Sequence, residues 1–304
     1  MSHLEIIVLA LLLDAAIGEP QTLWSRVPHP LVALMGAAER AETRLGRGRA
    51  AGAAGWAVVL IAGFGLAFLA ALIAWLPDAG VVELIGATVL MGMRNLSDQL
   101  RAIARVLPYD LAAARREAEG ATGLDLAGAD GFAISRTSVE AGGKGFLDAV
   151  AAPVFWGLLL GLPGLVLWRV IETADMVFGQ GAPERTAFGS GARWTAYLMG
   201  WAPARLAALL IAFVARSTAA VERAVAEAPL WREENGGWPV AALASALGIA
   251  LGQAPGDAVP LLNPDGRRRV DFTDLWEALV LLWAAWAALL ILLAIPAILL
   301  ILWG

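Results

Sequence analysis

Residues 278–303 read ALVLLWAAWAALLILLAIPAILLILW, a run without a single charge. A helix rises 1.5 Å per residue and a bilayer core is about 30 Å thick, so about 20 apolar residues suffice to cross it. This run passes with Pro296 as its one irregularity, and residues 51–76 are equally free of charge. Two more stretches are long enough but complicated: 149–168 carries Pro153 and Pro163, and 196–215 carries Pro203 and Arg205. Proline lacks an N–H and frees the carbonyl four residues before it, so these helices should face neighbours able to satisfy that group. Three shorter apolar stretches, 4–18, 79–93 and 238–252, fit tilted spans, re-entrant helices or buried helices. The first has the look of a signal-peptide core. Asp14 interrupts it and no small-residue cleavage site follows, so its retention is expected.

The composition agrees. Of 304 residues 59% are hydrophobic and 16% charged, against about 45–50% and about 25% in soluble domains. There is no cysteine, which excludes disulfides, thiolate metal sites and cysteine nucleophiles. Two histidines, His3 and His29, cannot build a histidine-rich metal site alone. A net charge of −5 gives no reason to expect nucleic acid as a partner. Nothing alternates with the period of a strand over a useful length. The expected fold is all-α: a polytopic integral membrane bundle, residues 1–304 as one membrane domain, with short or re-entrant helices. Basic residues accumulate on the cytoplasmic side of membrane proteins. Arg40, Arg44, Arg47 and Arg49 form one group; Arg94, Arg101, Arg105, Arg115, Arg116, Arg136 and Lys144 form another. A hairpin of 51–76 with 79–93 puts both groups on one side. Segments 19–49 and 94–148 are therefore predicted cytoplasmic, 94–148 being a helical and glycine-rich insertion.

Within that insertion residues 95–119 read as helix, interrupted at Pro108 and restarted at Asp110, which can cap it. From Gly120 to Asp148 glycines mix with Asp125, Asp130, Arg136, Glu140, Lys144 and Asp148. That mixture fits a phosphate- or metal-binding loop, or a solvated linker. Gly142-Gly143-Lys144-Gly145 is not a P-loop, since the spacing, the following Ser/Thr and the preceding strand are missing. Glu172 and Asp175 share a helix face, where they could hold Mg²⁺ with substrate phosphates or pair with Arg169, Arg193 or Arg205. His29, between Pro28 and Pro30, reads as a rigid turn element, and Glu233-Glu234 beside Arg232 as a surface patch.

Several motifs together carry a family likeness. They are Leu13-Asp14 with Gly18-Glu19-Pro20 and Pro28-His29-Pro30; Asp148 with Pro153, Phe155-Trp156 and Gly161-Leu162-Pro163-Gly164; and Thr173-Ala174-Asp175. Further on come Glu184-Arg185, Pro203-Ala204-Arg205, Asn235-Gly236-Gly237-Trp238-Pro239, Asn263, Gly266-Arg267 and Asp274. In this order, over nearly the whole chain, they resemble the CobD/CbiB family of cobalamin-biosynthesis membrane proteins, the adenosylcobinamide-phosphate synthases. The resemblance implies an amide ligase that joins a corrinoid carboxylate, adenosylcobyric acid, to aminopropanol or its phosphate with ATP and Mg²⁺. It implies Glu140, Asp148 and Asp175 as catalytic carboxylates and Asp125, Asp130, Asp148 and Asp175 as metal ligands. His29, Arg136, Arg185, Arg205 and Asn235 would bind substrate or phosphate. Partners expected on the same ground are membrane lipid, a corrinoid, and other cobalamin-biosynthesis proteins or a homo-oligomer.

The chain also departs from the family pattern. Gly123-Leu124-Asp125-Leu126 stands where the family usually has Gly-Arg-Asp-Thr, and Glu140-Ala-Gly-Gly-Lys144-Gly145 where it has Glu-Ser-x-Ala-Glu-Asn. Glu172 replaces an Asn, and Thr195 and Ala196 replace paired aspartates. A lysine at 144 repels a metal that an acid would hold. The alternative is therefore a non-catalytic paralogue, a corrinoid-binding, scaffolding or regulatory membrane subunit. A transporter has less support, for no inverted repeat is visible.

Overall fold

Every regular element among the described residues is helical; the β pairing there consists of two isolated bridges, Ile249 with Arg267 and Leu251 with Leu262. The computed structural model describes residues 2–18, 40, 49–73, 79–176, 189–252 and 260–303. In chain order the helices are α1 (His3–Ile17), α2 (Arg49–Ile73), α3 (Ala79–Leu90), α4 (Met93–Val106), α5 (Leu111–Thr122) and α6 (Gly131–Phe146). After a π-helical turn at Leu147–Ala151 follow α7 (Ala152–Leu160), α8 (Leu162–Ala174), α9 (Ser190–Val214), α10 (Thr218–Glu227), α11 (Glu234–Leu247) and α12 (Phe272–Trp303). Among the described residues five stretches are long and apolar enough to cross a membrane: Gly55–Ile73, Ala79–Val106, Gly131–Leu160, Ser190–Val214 and Phe272–Trp303. The all-α, multi-pass membrane architecture expected from the sequence is the one observed.

The chain forms two compact units, Met1–Met91 with Ala152–Gly200, and Gly92–Ala151 with Trp201–Gly304. In the first, α8 packs on α2, α7 and α3, and α1 packs on α3 and α7. α1 is capped by a reciprocal Ser2–Glu5 box, which satisfies two of its orphan amides. Arg169 on α8 donates through Nε to the Leu90 carbonyl (2.7 Å) at the end of α3 and pairs with Glu172 (2.9 Å). Of the two readings of Glu172, the pairing with Arg169 is the one observed.

In the second unit α6 packs against α4, α5, α11 and α12. The break at Pro108 and restart at Asp110 are as expected, with Asp110 accepting from the Ala113 amide. Two expectations need correction. Of the glycine-rich stretch only residues 123–130 are loop; Asp130 accepts from the Ala133 amide and starts a buried helix. Its glycines serve close approach. A Cβ at Gly143 would lie 3.2 Å from the Val240 Cα, and one at Gly145 would lie 2.6 Å from Leu96 Cδ1. Small residues at helix interfaces let membrane helices pack closely, which offsets glycine's entropic cost. Second, 149–168 is not one span: Gly161, at φ 66°, breaks it, and the long apolar helix is Gly131–Leu160. Parts of 94–148 thus lie in helices long and apolar enough to count as candidate spans.

Pro153 frees the Ala149 carbonyl, which accepts from the Gly92 amide at 3.1 Å. Pro203 frees the Met199 carbonyl, which accepts from Trp156 Nε1 at 3.1 Å. Trp156→Phe keeps an aromatic ring and removes that donor. It should cost about 1–3 kcal/mol, read as a lower thermal midpoint in detergent; an unchanged midpoint would show that the Met199 carbonyl finds another partner.

Candidate functional site

Glu140, Lys144 and Asp148 recur every four residues, so they share one face of α6 and its π-helical extension. A π turn offsets the side chains that follow it and is frequent at functional sites. Here it carries Asp148. The face meets the start of α11, where the chain supplies Arg232, Glu233, Glu234, Asn235 and Trp238 in quick succession. Gly143 permits that approach: a Cβ there would stand 3.2 Å from the Val240 Cα, tighter than an ordinary contact.

Lys144 sits between two acids, Nζ lying 2.8 Å from Asp148 and 3.3 Å from Glu233. Glu140 is 1% exposed. Its Oε1 accepts from the Gly252 amide at 2.6 Å and its Oε2 lies 3.7 Å from Arg232. A buried carboxylate tolerates its desolvation only with such hydrogen-bonded or charged neighbours. Arg205, from α9, completes the group. Its guanidinium lies 4.0 Å from the Trp201 ring centroid and 4.3 Å from that of Trp238. It also donates to the Trp201 carbonyl (2.7 Å) and reaches Glu234 at 3.5 Å. A guanidinium stacked on aromatic faces is held flat, with about 0.5–2 kcal/mol for each cation–π contact. The cluster thus assembles four acids and three bases from segments distant in sequence.

Of the residues expected at a site, Glu140, Asp148, Arg205 and Asn235 fall in or beside this cluster. Asp175 ends α8 in the other unit. Asp125 and Asp130 lie around the α5–α6 turn, where Asp125 accepts from the Ala127 amide and Asp130 caps α6. Arg136 donates to the Arg268 carbonyl. His29 and Arg185 lie outside the described residues. Arg232, Glu233 and Glu234, read from sequence as a surface patch, are instead part of the cluster. Their signal was the Asn235–Pro239 motif directly behind them.

A Mg²⁺ ion held by this chain needs several oxygen donors converging on one point. Among the described residues no group of three or more His, Asp or Glu side chains is placed to share a metal ion. Asp148 faces the Lys144 ammonium, while Asp125 and Asp130 serve backbone amides. The donors among the described residues do not fit a protein-built Mg²⁺ site.

The comparisons with known proteins extend over the same ground. The family model described as CobD/Cbib protein matches residues 7–282. The chain is 33% identical over 303 residues to "Cobalamin biosynthesis protein CobD" of Rhizobium meliloti (strain 1021), covering 92% of each chain. It is 34% identical over 252 residues to the protein of that name from Stutzerimonas stutzeri (strain A1501), covering 81% of this chain and 80% of that one. With the Rhodobacter capsulatus protein of the same name it shares 30% over 262 residues, 83% and 82% of the two chains. No solved structure matches. A match running from α1 into α12, through the segments that build the charged cluster, is decisive: the chain belongs to the CobD/Cbib protein family.

Proposed function

We propose that this protein forms an amide bond in cobalamin biosynthesis, joining the carboxylate of adenosylcobyric acid to the amine of aminopropanol or its phosphate. Family membership carries the coarse part, a role in cobalamin biosynthesis. The finer part rests on the cluster of Glu140, Lys144, Asp148 and Arg205, which lies on motif segments and offers charges of both signs to a substrate pair of both signs. Condensing a carboxylate with an amine releases water and is uphill in solution. ATP, brought from solution with its own Mg²⁺, supplies the drive as its phosphoanhydride is cleaved. A planar guanidinium fixed between two indoles suits a phosphate oxyanion. Orientation follows the positive-inside rule, placing 19–49 and the polar part of 94–148 in the cytoplasm of a bacterial-type inner membrane.

One observation favours the second reading, a non-catalytic corrinoid-binding paralogue: Lys144 neutralises Asp148 and Glu233 where the family pattern has an acid. Complementation separates the two. A bacterial strain lacking its own family member, fed adenosylcobyric acid, should regain cobalamin-dependent growth when it expresses this chain. Growth only when adenosylcobinamide is fed would support the paralogue.

A further inference from the structure

The segment Gly266-Arg267-Arg268-Arg269-Val270 ends just before α12 enters its candidate span at Phe272. Its arginines do different work. Arg267 is committed to the protein: it pairs with the carboxylate of Asp274, itself 1% exposed, and donates to the Arg269 carbonyl at 2.6 Å. The hydrogen bond with Asp274 holds its pKa above the usual guanidinium value. Arg268 and Arg269 are exposed, and neither has an ion pair among the described residues. The Arg269 guanidinium lies over the Phe132 ring at 4.8 Å.

A fourth arginine joins them from α6. Arg136 donates through one terminal nitrogen to the Arg268 carbonyl at 3.1 Å. Its Nε is buried without a hydrogen-bond partner, and it has no acidic partner among the described residues. With both carbonyls of the turn occupied by guanidiniums, the backbone of 268–269 is fixed. The nearby acids are spoken for: Asp274 by Arg267, and Asp271 by the Thr273 amide and hydroxyl. Glu277 acts on Arg267 from the first turns of α12. Among the described residues the guanidiniums of Arg136, Arg268 and Arg269 have no carboxylate partner.

Their position narrows the occupant. The candidate span Gly131–Leu160 begins at α6, five residues before Arg136, and the span Phe272–Trp303 begins three residues after Arg269. α6 and α12 pack together, and Arg136 meets Arg268 at the N-terminal ends of both. The patch therefore sits at the N-terminal ends of two candidate spans, where crossing helices would meet phospholipid headgroups. Both helices also present their positive dipole ends there. We infer that Arg136, Arg268 and Arg269 form a binding site for the phosphate of an anionic phospholipid headgroup at the mouth of α6 and α12. Each juxtamembrane arginine strengthens binding to anionic lipid about fivefold, and the arginine fork suits phosphate oxygens.

The test uses the full-length protein in nanodiscs of phosphatidylcholine with or without phosphatidylglycerol, and native mass spectrometry of the lipids it retains. The wild type should retain phosphatidylglycerol in preference to phosphatidylcholine, and more weakly as salt rises. The double variant Arg268→Gln, Arg269→Gln should retain it about 30-fold more weakly, with an unchanged circular dichroism spectrum. Arg268→Lys, Arg269→Lys should recover much of the preference. Equal retention of both lipids by the wild type, or undiminished retention by the glutamine variant, would overturn the site. So would protection by free pyrophosphate without any phosphatidylglycerol preference, which would mark a site for a soluble phosphate. All three readouts are independent of amide synthesis, so they stand or fall apart from the proposed activity.

Discussion

Lys144→Glu is expected to destabilise the protein by about 2–4 kcal/mol and to make its stability depend on divalent cations. The native ammonium lies 2.8 Å from Asp148 and 3.3 Å from Glu233, and the three side chains are each less than a third exposed. The change removes both ion pairs and brings a third carboxylate to the same place. Like charges in a partly desolvated pocket repel, and the strain is relieved by taking up a proton or a cation. Thermal unfolding in detergent should therefore show a midpoint well below the wild type without Mg²⁺, partly restored at millimolar Mg²⁺. The wild-type midpoint should respond little. A variant as stable as the wild type and blind to Mg²⁺ would mean that the charges around position 144 are not coupled as their distances indicate.

The second large effect concerns Arg205. If its guanidinium receives the phosphate of the amine substrate, Arg205→Lys should lower kcat/KM for aminopropanol phosphate by about 100-fold. Lysine keeps the charge and loses both the planar fork and the fit between Trp201 and Trp238. Unphosphorylated aminopropanol offers no oxyanion, so its kcat/KM should change far less. An equal fall for both amines would make Arg205 a positioning residue for the α9–α11 contact through Glu234, and would remove it from substrate binding.

Legibility in the sequence varied with the kind of signal. α2 and α12 were visible as uncharged runs because a span must be apolar over its whole length. The α4–α5 break was visible through Pro108 and Asp110, whose backbone effects are local. α6 was misread. Gly142, Gly143 and Gly145 in a soluble chain argue for a loop, whereas here they let Val240, Leu100 and Leu96 approach a buried helix. Which meaning applies depends on neighbours that the local sequence does not contain. The same limit hid the cluster: Lys144 and Glu233 are far apart in the chain, and only the packing of α6 against α11 joins them. Asp125 and Asp130 also hold the local backbone, accepting from amides two and three residues on.

The most direct test of the account is turnover by the purified protein in nanodiscs. It would be incubated with adenosylcobyric acid, aminopropanol phosphate, ATP and Mg²⁺, and the corrinoid followed by mass spectrometry. The wild type should form a product heavier by aminopropanol phosphate less water, and Asp148→Ala should not. A folded wild type that binds the corrinoid and leaves its mass unchanged would contradict the proposed activity, and would leave the family's scaffold serving a binding role.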